Sequence, residues 1–367
     1  MDKNLEFFST TITDEGIQEV LSTLRSSRIS AGKKADEFEE KLSSYGLINP
    51  ITLNSGTVTL HLALIASGVG PGDEVIIPAQ TFIATGLAVL YVGAKPIFAD
   101  INLLDGNISV ESIKSKITNK TKAIIPVHWA GYPCDLDEIN KIALEYNLSV
   151  IEDAAHAFGA FYKNQIIGSI SRFTSFSFQA IKHLTTGDGG ALCCKNIDDS
   201  KIVKRLRWFD IDRENSKIGF LGEREYDATN VGYKYHMNDI SASLGIGNLK
   251  SINQKLSKVR NLAKIYNEEL KNVSGIKLMD YKDDRLSSYW LFPILVDERN
   301  EFIKKLKSKN IPTSVVHQGI DKNSIFGNID KSLINQRIFD EKQIHIPLND
   351  SMSLDDVFEI INVIKNK

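Results

Sequence analysis

The sequence predicts an α/β protein: a large domain on a mainly parallel sheet, followed by a smaller α+β domain. Three observations carry this. From residue 72 to 155 short apolar runs alternate with helical ones, the spacing of βαβ units. From about residue 275 strands become fewer and lysines more frequent. The length, 367 residues, leaves room for about two or three domains. We expect the large domain over residues 1–250, with a helical N-terminal segment, and the smaller one over 251–367.

The elements follow in order. Ile17, Val20, Leu21 and Leu24 recur at helical spacing; the pattern breaks over 26–33 and resumes at Glu37, Phe38 and Leu42. A short apolar run then meets Ser55-Gly56-Thr57, and a helix follows through Leu60, Leu64 and Ile65. Val75–Pro78, Lys95–Asp100, Ala123–His128 and Leu148–Ala155 read as strands, with helices at Thr81–Val92 and Leu136–Tyr146. Strand 171–178 leads into a polar, Gly-rich turn, and Gly189–Lys195 leaves it. A helix over Ile202–Trp208 precedes a charged stretch, 210–235, in which Tyr226, Tyr233 and Tyr235 argue for order. Asn238-Asp239 caps a long helix from Ile240 to about Leu270. Beyond it we expect strands at Ser288–Val296 and Ile311–Val316, and helices at Glu298–Lys309 and Leu354–Ile364.

Composition narrows the function. Hydrophobic residues make up 42% and charged residues 25%, a globular balance. With 44 basic and 46 acidic residues, nothing favours nucleic acid or a membrane as partner. Cys134, Cys193 and Cys194 form neither a disulfide framework nor a Cys-x-x-Cys zinc pair, so no metal and a cytoplasmic compartment are expected. The N-terminal Met-Asp-Lys-Asn-Leu-Glu lacks the apolar core of a signal peptide.

Chemistry concentrates where strands end, the edge at which open α/β sheets bind ligands. Lys182 stands alone between an apolar strand and the Gly-rich turn. Partial desolvation there lowers an amine's pKa and suits Schiff-base formation, although a loop lysine also snorkels to solvent. Ser-Gly-Thr at a helix start offers free N–H groups to a phosphate, or serves as an ordinary N-cap. Asp153, ending a buried strand, needs a cationic or donor partner. A protonated heterocyclic nitrogen is one; a helix cap or ion pair would serve as well. Asp100, His128 and Ser177 also fall at strand ends.

Six stretches together resemble the sugar aminotransferases of the DegT/DnrJ/EryC1/StrS family, fold-type I enzymes that use pyridoxal 5′-phosphate (PLP). They are Asn54-Ser-Gly-Thr57, Gly70-Pro-Gly-Asp-Glu-Val75, Thr81-Phe-Ile-Ala-Thr85, Glu152-Asp-Ala-Ala-His156, Ser177-Phe-Gln-Ala-Ile-Lys182 with Thr185-Thr-Gly-Asp-Gly-Gly190, and Gly232-Tyr-Lys-Tyr-His-Met237. The resemblance implies that Lys182 is the catalytic Schiff-base lysine and that Asp153 pairs with the pyridinium nitrogen. It places His156 at the ring 3′-oxygen and Phe82 against the ring. Gly56, Thr57 and Ser177 would hold the phosphate, completed by Lys234 from the second subunit of a homodimer. The implied reaction moves an amino group from L-glutamate to a 3- or 4-keto deoxysugar carried on a nucleotide, for aminosugar and surface-polysaccharide synthesis. His317 stands where a substrate contact is expected, or where a cap or surface role would do. Related sugar dehydratases carry His at the Schiff-base position; here that position is Lys182, with His183 beside it. A non-catalytic binding protein on the same fold is the other alternative, and the complete set of site residues speaks against it.

Overall fold

The computed structural model describes residues 5–213 and 215–366. The first four residues of the charged N-terminal hexapeptide lie outside them. Two helices, α1 (Asp14–Arg25) and α2 (Lys34–Ser44), precede β1 (Pro50–Leu53), α3 (Gly56–Ala66), β2 (Glu74–Pro78), α4 (Ile83–Tyr91) and β3 (Lys95–Ala99). Then come α5 (Val110–Lys116), β4 (Thr121–Ile124), α6 (Leu136–Glu145) and β5 (Ser149–Asp153). The short strands β6 (Phe161–Tyr162) and β7 (Gln165–Ile166) lead to β8 (Phe173–Ser177) and β9 (Gly190–Cys194). Next are α7 (Ile197–Leu206), α8 (Asp239–Leu249) and α9 (Ile252–Leu270). The rest holds β10 (Ile276–Leu278), β11 (Arg285–Leu286), β12 (Phe292–Val296), α10 (Arg299–Lys307), α11 (Ile334–Lys342), β13 (Gln343–Ile346) and α12 (Leu354–Lys365).

The main sheet runs β1-β9-β8-β5-β4-β2-β3. Strand β9 pairs antiparallel with both β1 and β8, and the remaining pairs are parallel. Alternate residues feed two cores, as the strand period of two requires. Ile76, Ile124 and Val150 pack toward α2, α5, α6 and α8. Val75, Ile77, Ala123 and Ile151 pack toward α3, α4 and α7. A third core gathers Val259, Leu262, Tyr266, Ile294, Ile344, Val357 and Ile361 from α9, the β10-β12-β13 sheet and α12.

Several elements differ from expectation. The long helix breaks at Lys250–Ser251: α8 stays with the large core, while α9 runs on from Leu256 into the third. Ile311–Val316 is extended but not a ladder strand; only Ser314 bridges to His345. Helix α7 starts at Ile197, ahead of the apolar run that pointed to it. In α1 the inward side is Gly16 and Thr23, where Thr23 meets Ser243 Oγ at 2.6 Å, and Ile17, Leu21 and Leu24 face outward. No helix among the described residues is long and apolar enough to cross a membrane.

Candidate active site

Parallel pairing of β5 with β8 brings Asp153 and Ser177, the last residues of those strands, to one edge of the sheet. The α3 N-terminus arrives at the same edge, because β1 runs the same way as β8 across β9. A cleft of about 360 Å³ opens there. Gly56, Thr57, Phe82, Asp153, His156, Ser177, Lys182 and His317 all line it, as do Thr85 and Trp290.

Local chemistry holds each group. Ser55 caps α3, its Oγ accepting from Val58 N, which leaves the first-turn N–H groups of Gly56 and Thr57 facing the cleft. Gly56 must be glycine here: a Cβ would stand 2.8 Å from Ser177 Cβ. The lysine turn is closed by its own backbone, with Lys182 N donating to Gln179 O and Thr186 N to Phe178 O, each at 2.9 Å. Lys182 Nζ lies 3.5 Å from the centre of the Trp290 ring. Burial pulls the amine's pKa down to about 7, against the opposing pull of Asp153. Asp153 Oδ2 accepts from Thr85 Oγ1 at 2.7 Å, and Oδ1 from Ala155 N at 3.2 Å. Burial raises the Asp153 pKa, while Thr85, Ala155 and the charge of Lys182 work to lower it.

His156 stacks on Trp290, centroids 3.8 Å apart and planes 17° from parallel. Burial pushes its pKa well down, so the ring is neutral. Its buried Nδ1 has no hydrogen-bond partner among the described residues. Across the mouth, His317 and the half-exposed Phe82 approach to 5.2 Å between ring centres. Burial lowers His317 to about 4. Its carbonyl accepts from Gln80 Nε2 and Gln343 Nε2, both at 3.0 Å.

Two strand-end residues prove structural. His128 Nδ1 accepts from Cys134 N, so its Nε2 donates to Glu152 at 2.8 Å, wholly buried. The Asp100 carboxylate accepts from Asn335 N and Gln336 N at 2.9 Å, tying the sheet to the start of α11. Lys234 is exposed, with Nζ 3.7 Å from the centre of the Trp208 ring, and is not among the residues lining its own chain's cleft. Nor is any other described residue of 210–235; Asp210 Oδ2 ties that stretch back by accepting from Thr229 N and Asn230 N. His183 turns away from the cleft, to a small cavity shared with Lys255 and Asp350.

Neither Thr85 nor Trp290 was assigned a role from the sequence. Thr85 had one signal, its position four residues after Thr81 on one helix face. Trp290 had none, since it sits in an apolar run that reads as core.

The groups present fit PLP. A half-desolvated amine, a buried carboxylate, a helix N-terminus with hydroxyls beside it and an orphaned imidazole nitrogen match its aldehyde, ring nitrogen, phosphate and ring hydroxyl. Comparison agrees. The model of the DegT/DnrJ/EryC1/StrS aminotransferase family matches residues 10–365. An uncharacterized protein of Methanocaldococcus jannaschii is 42% identical over 98% of this chain and 96% of its own. The UDP-4-amino-4-deoxy-L-arabinose–oxoglutarate aminotransferase of Shewanella sediminis is 34% identical over 96% and 95%. The putative sugar aminotransferase Spr1654 of Streptococcus pneumoniae, solved in its PLP form, superposes with a TM-score of 0.90 at 31% identity, covering 99% of this chain and 98% of that one. The chain belongs to the DegT/DnrJ/EryC1/StrS family and is a PLP-dependent sugar aminotransferase of fold type I.

Proposed function

We propose that the protein moves the amino group of L-glutamate onto the 3- or 4-keto carbon of a nucleotide-linked 6-deoxyhexose, in the cytoplasm, as a homodimer. The observation that carries this is the pairing of Lys182 and Asp153 in one cleft, an amine drawn to about 7 facing a buried carboxylate. The name of the Shewanella relative supports an oxoglutarate/glutamate couple and a nucleotide sugar. The outward apolar side of α1, with Ile17, Leu21 and Leu24, supports a second copy of the chain. The same reading divides the chain into a cofactor-binding domain over 1–250 and a smaller domain over 251–367.

PLP, when bound, supplies an electron sink. The protein's residues do the rest. Lys182 would hold the cofactor covalently, and once released would move a proton between the substrate carbon and the cofactor, away from the carbon with glutamate and onto it with the keto sugar. Asp153 keeps a proton on the ring nitrogen, and His156 donates toward the ring oxygen. Gly56, Thr57 and Ser177 bind the phosphate, with Lys234 of the partner subunit. Phe82 covers the ring and His317 faces the sugar. A neutral Lys182 can act as a base near neutral pH, which an ordinary lysine cannot.

The test is a panel of nucleotide-linked 3-keto and 4-keto sugars incubated with PLP and glutamate and read by mass spectrometry. Amination of at least one sugar is expected, with none by Lys182→Ala. Turnover in Lys182→Ala, or dehydration without amination in the intact protein, overturns the reading.

A further inference from the structure

We propose that Trp290 is the resting surface of the Lys182 amine, a positioning residue that holds the lysine, and carries its charge, whenever it is not bonded to the cofactor. This rests on the function proposed above.

Three contacts fix the arrangement. The Lys182 ammonium position lies 3.5 Å from the indole centre, over the face rather than at the rim. Trp290 Nε1 donates to the carbonyl of Ile181 at 2.9 Å, so the indole also holds the backbone next to the lysine. The His156 ring stacks on Trp290, and Phe8 lies near-parallel to it at 5.4 Å. With 4% of its surface exposed, Trp290 has no freedom to swing away.

The backbone is shaped to deliver this residue. Tyr289 has φ +54°, a left-handed conformation that a bulky side chain seldom adopts. Ser288 on its other side donates from Oγ to the His156 carbonyl at 2.7 Å, and its N–H bonds Gly131 O at 3.0 Å. Gly131 permits that approach: a Cβ there would stand 2.4 Å from Ser288 Oγ and 3.0 Å from Tyr289 N. The segment entering β12 is therefore locked onto the strand-end loops, with Trp290 turned under the lysine.

The chemistry needs such a surface. In the glutamate half-reaction Lys182, once free of the cofactor, would take a proton from the substrate carbon; in the second half-reaction it is already free and would deliver a proton to the sugar carbon. The C–H electron pair would be left to the electron sink that PLP supplies when bound. For the interval before the proton is delivered, Lys182 is an ammonium in a cleft that disfavours charge. Among groups within reach, Asp153 is committed to Thr85, Ala155 and the ring nitrogen. The π face of Trp290 stabilises the cation without taking the proton.

The experiment compares Trp290→Phe, which keeps a π face but loses the Nε1 bond, with Trp290→Leu, which loses both. The readout is the pKa of Lys182 in the cofactor-free protein, from the pH dependence of acetylation at that residue followed by peptide mass spectrometry. A lower pKa is expected in Trp290→Leu, by about one unit, with Trp290→Phe close to the parent. In the PLP-loaded protein the glutamate half-reaction should slow about tenfold in Trp290→Leu. Unchanged titration in Trp290→Leu overturns the proposal, as does an equal shift in both variants. Thermal unfolding of both variants shows that they are folded. Failure of the function itself would appear in the parent protein, as absence of a Lys182–PLP adduct.

Discussion

Thr85 Oγ1 donates a 2.7 Å hydrogen bond to Asp153 Oδ2 from the first turn of α4, and Thr81 Oγ1 stands 2.7 Å behind it. A carboxylate accepts only, so the Thr85 proton points at Asp153 and Thr81 donates to Thr85. All three side chains are buried. The relay favours the ionised carboxylate against the burial that raises its pKa.

Thr85→Val should therefore raise the Asp153 pKa further and weaken PLP binding near neutral pH, about tenfold. The defect should grow as pH falls and shrink as pH rises, because alkali restores the carboxylate without the hydroxyl. Thr85→Ser should bind close to normally. Equilibrium dialysis of PLP across pH checks this, and a pH-independent defect would count against it.

Lys182 gives a stability prediction with a definite sign. Its folded pKa, about 7, lies below that of an ordinary lysine. The unfolded chain thus binds a proton that the folded chain refuses between about 7 and 10. Its contribution to stability is greatest above the unfolded pKa and is lost as pH falls toward 7. Lys182→Met should stabilise the cofactor-free protein at pH 7, by about 1–3 kcal/mol, and the gain should shrink as pH approaches 10. Urea unfolding at several pH values measures it. A gain that does not change with pH would point to packing alone.

The site was more legible than its supports. Asp153, Ser177 and Lys182 stood out as polar groups at the ends of apolar strands, a signal that a helix cap, an ion pair or a snorkelling lysine would also give, and the family's motifs separated them from those readings. Gly56 and Thr57 stood out because a helix start rich in hydroxyls invites an anion. Trp290 did not, since a tryptophan in an apolar run looks the same whether its face meets a leucine or an ammonium. Asp100 and His128 had the same strand-end signal as Asp153, and only their partners, the α11 N–H groups and Glu152, reveal them as structural. In the fold, local pattern located the βαβ elements, where the strand period and burial agree. It misread Ile311–Val316, because a β-branched run is extended whether or not a neighbour accepts its ladder. It joined α8 to α9 because both carry the same apolar stripe, and the core that each stripe enters is a tertiary fact.

Gly56→Ala tests the phosphate cradle. The added methyl carbon would meet Ser177 Cβ at 2.8 Å and its Oγ at 3.2 Å, pushing the α3 start and the serine apart. PLP affinity should fall about tenfold or more, with helicity and fold retained. Gly56→Ala combined with Ser177→Gly removes the Cβ and Oγ contacts, leaving Ser177 Cα at 3.2 Å, and should recover part of the affinity. If the double variant binds no better than Gly56→Ala alone, the collision is not the cause.

Lys234 gives the sharpest test of the shared site. It rests on Trp208 and is not among the residues lining its own chain's cleft, so a role at the phosphate requires the other subunit. Lys234→Ala should lower PLP affinity about tenfold, and Lys182→Ala should abolish turnover. In a hybrid dimer with one substitution on each chain, one site loses both lysines. The other combines Lys182 of one chain with Lys234 of its partner and is intact. Hybrids purified through two different tags, assayed where Lys234→Ala homodimers are largely empty of PLP, should regain about half the parent rate. If Lys234 acts within its own chain, neither site is whole and no recovery appears. An active monomer on a sizing column would remove the role outright.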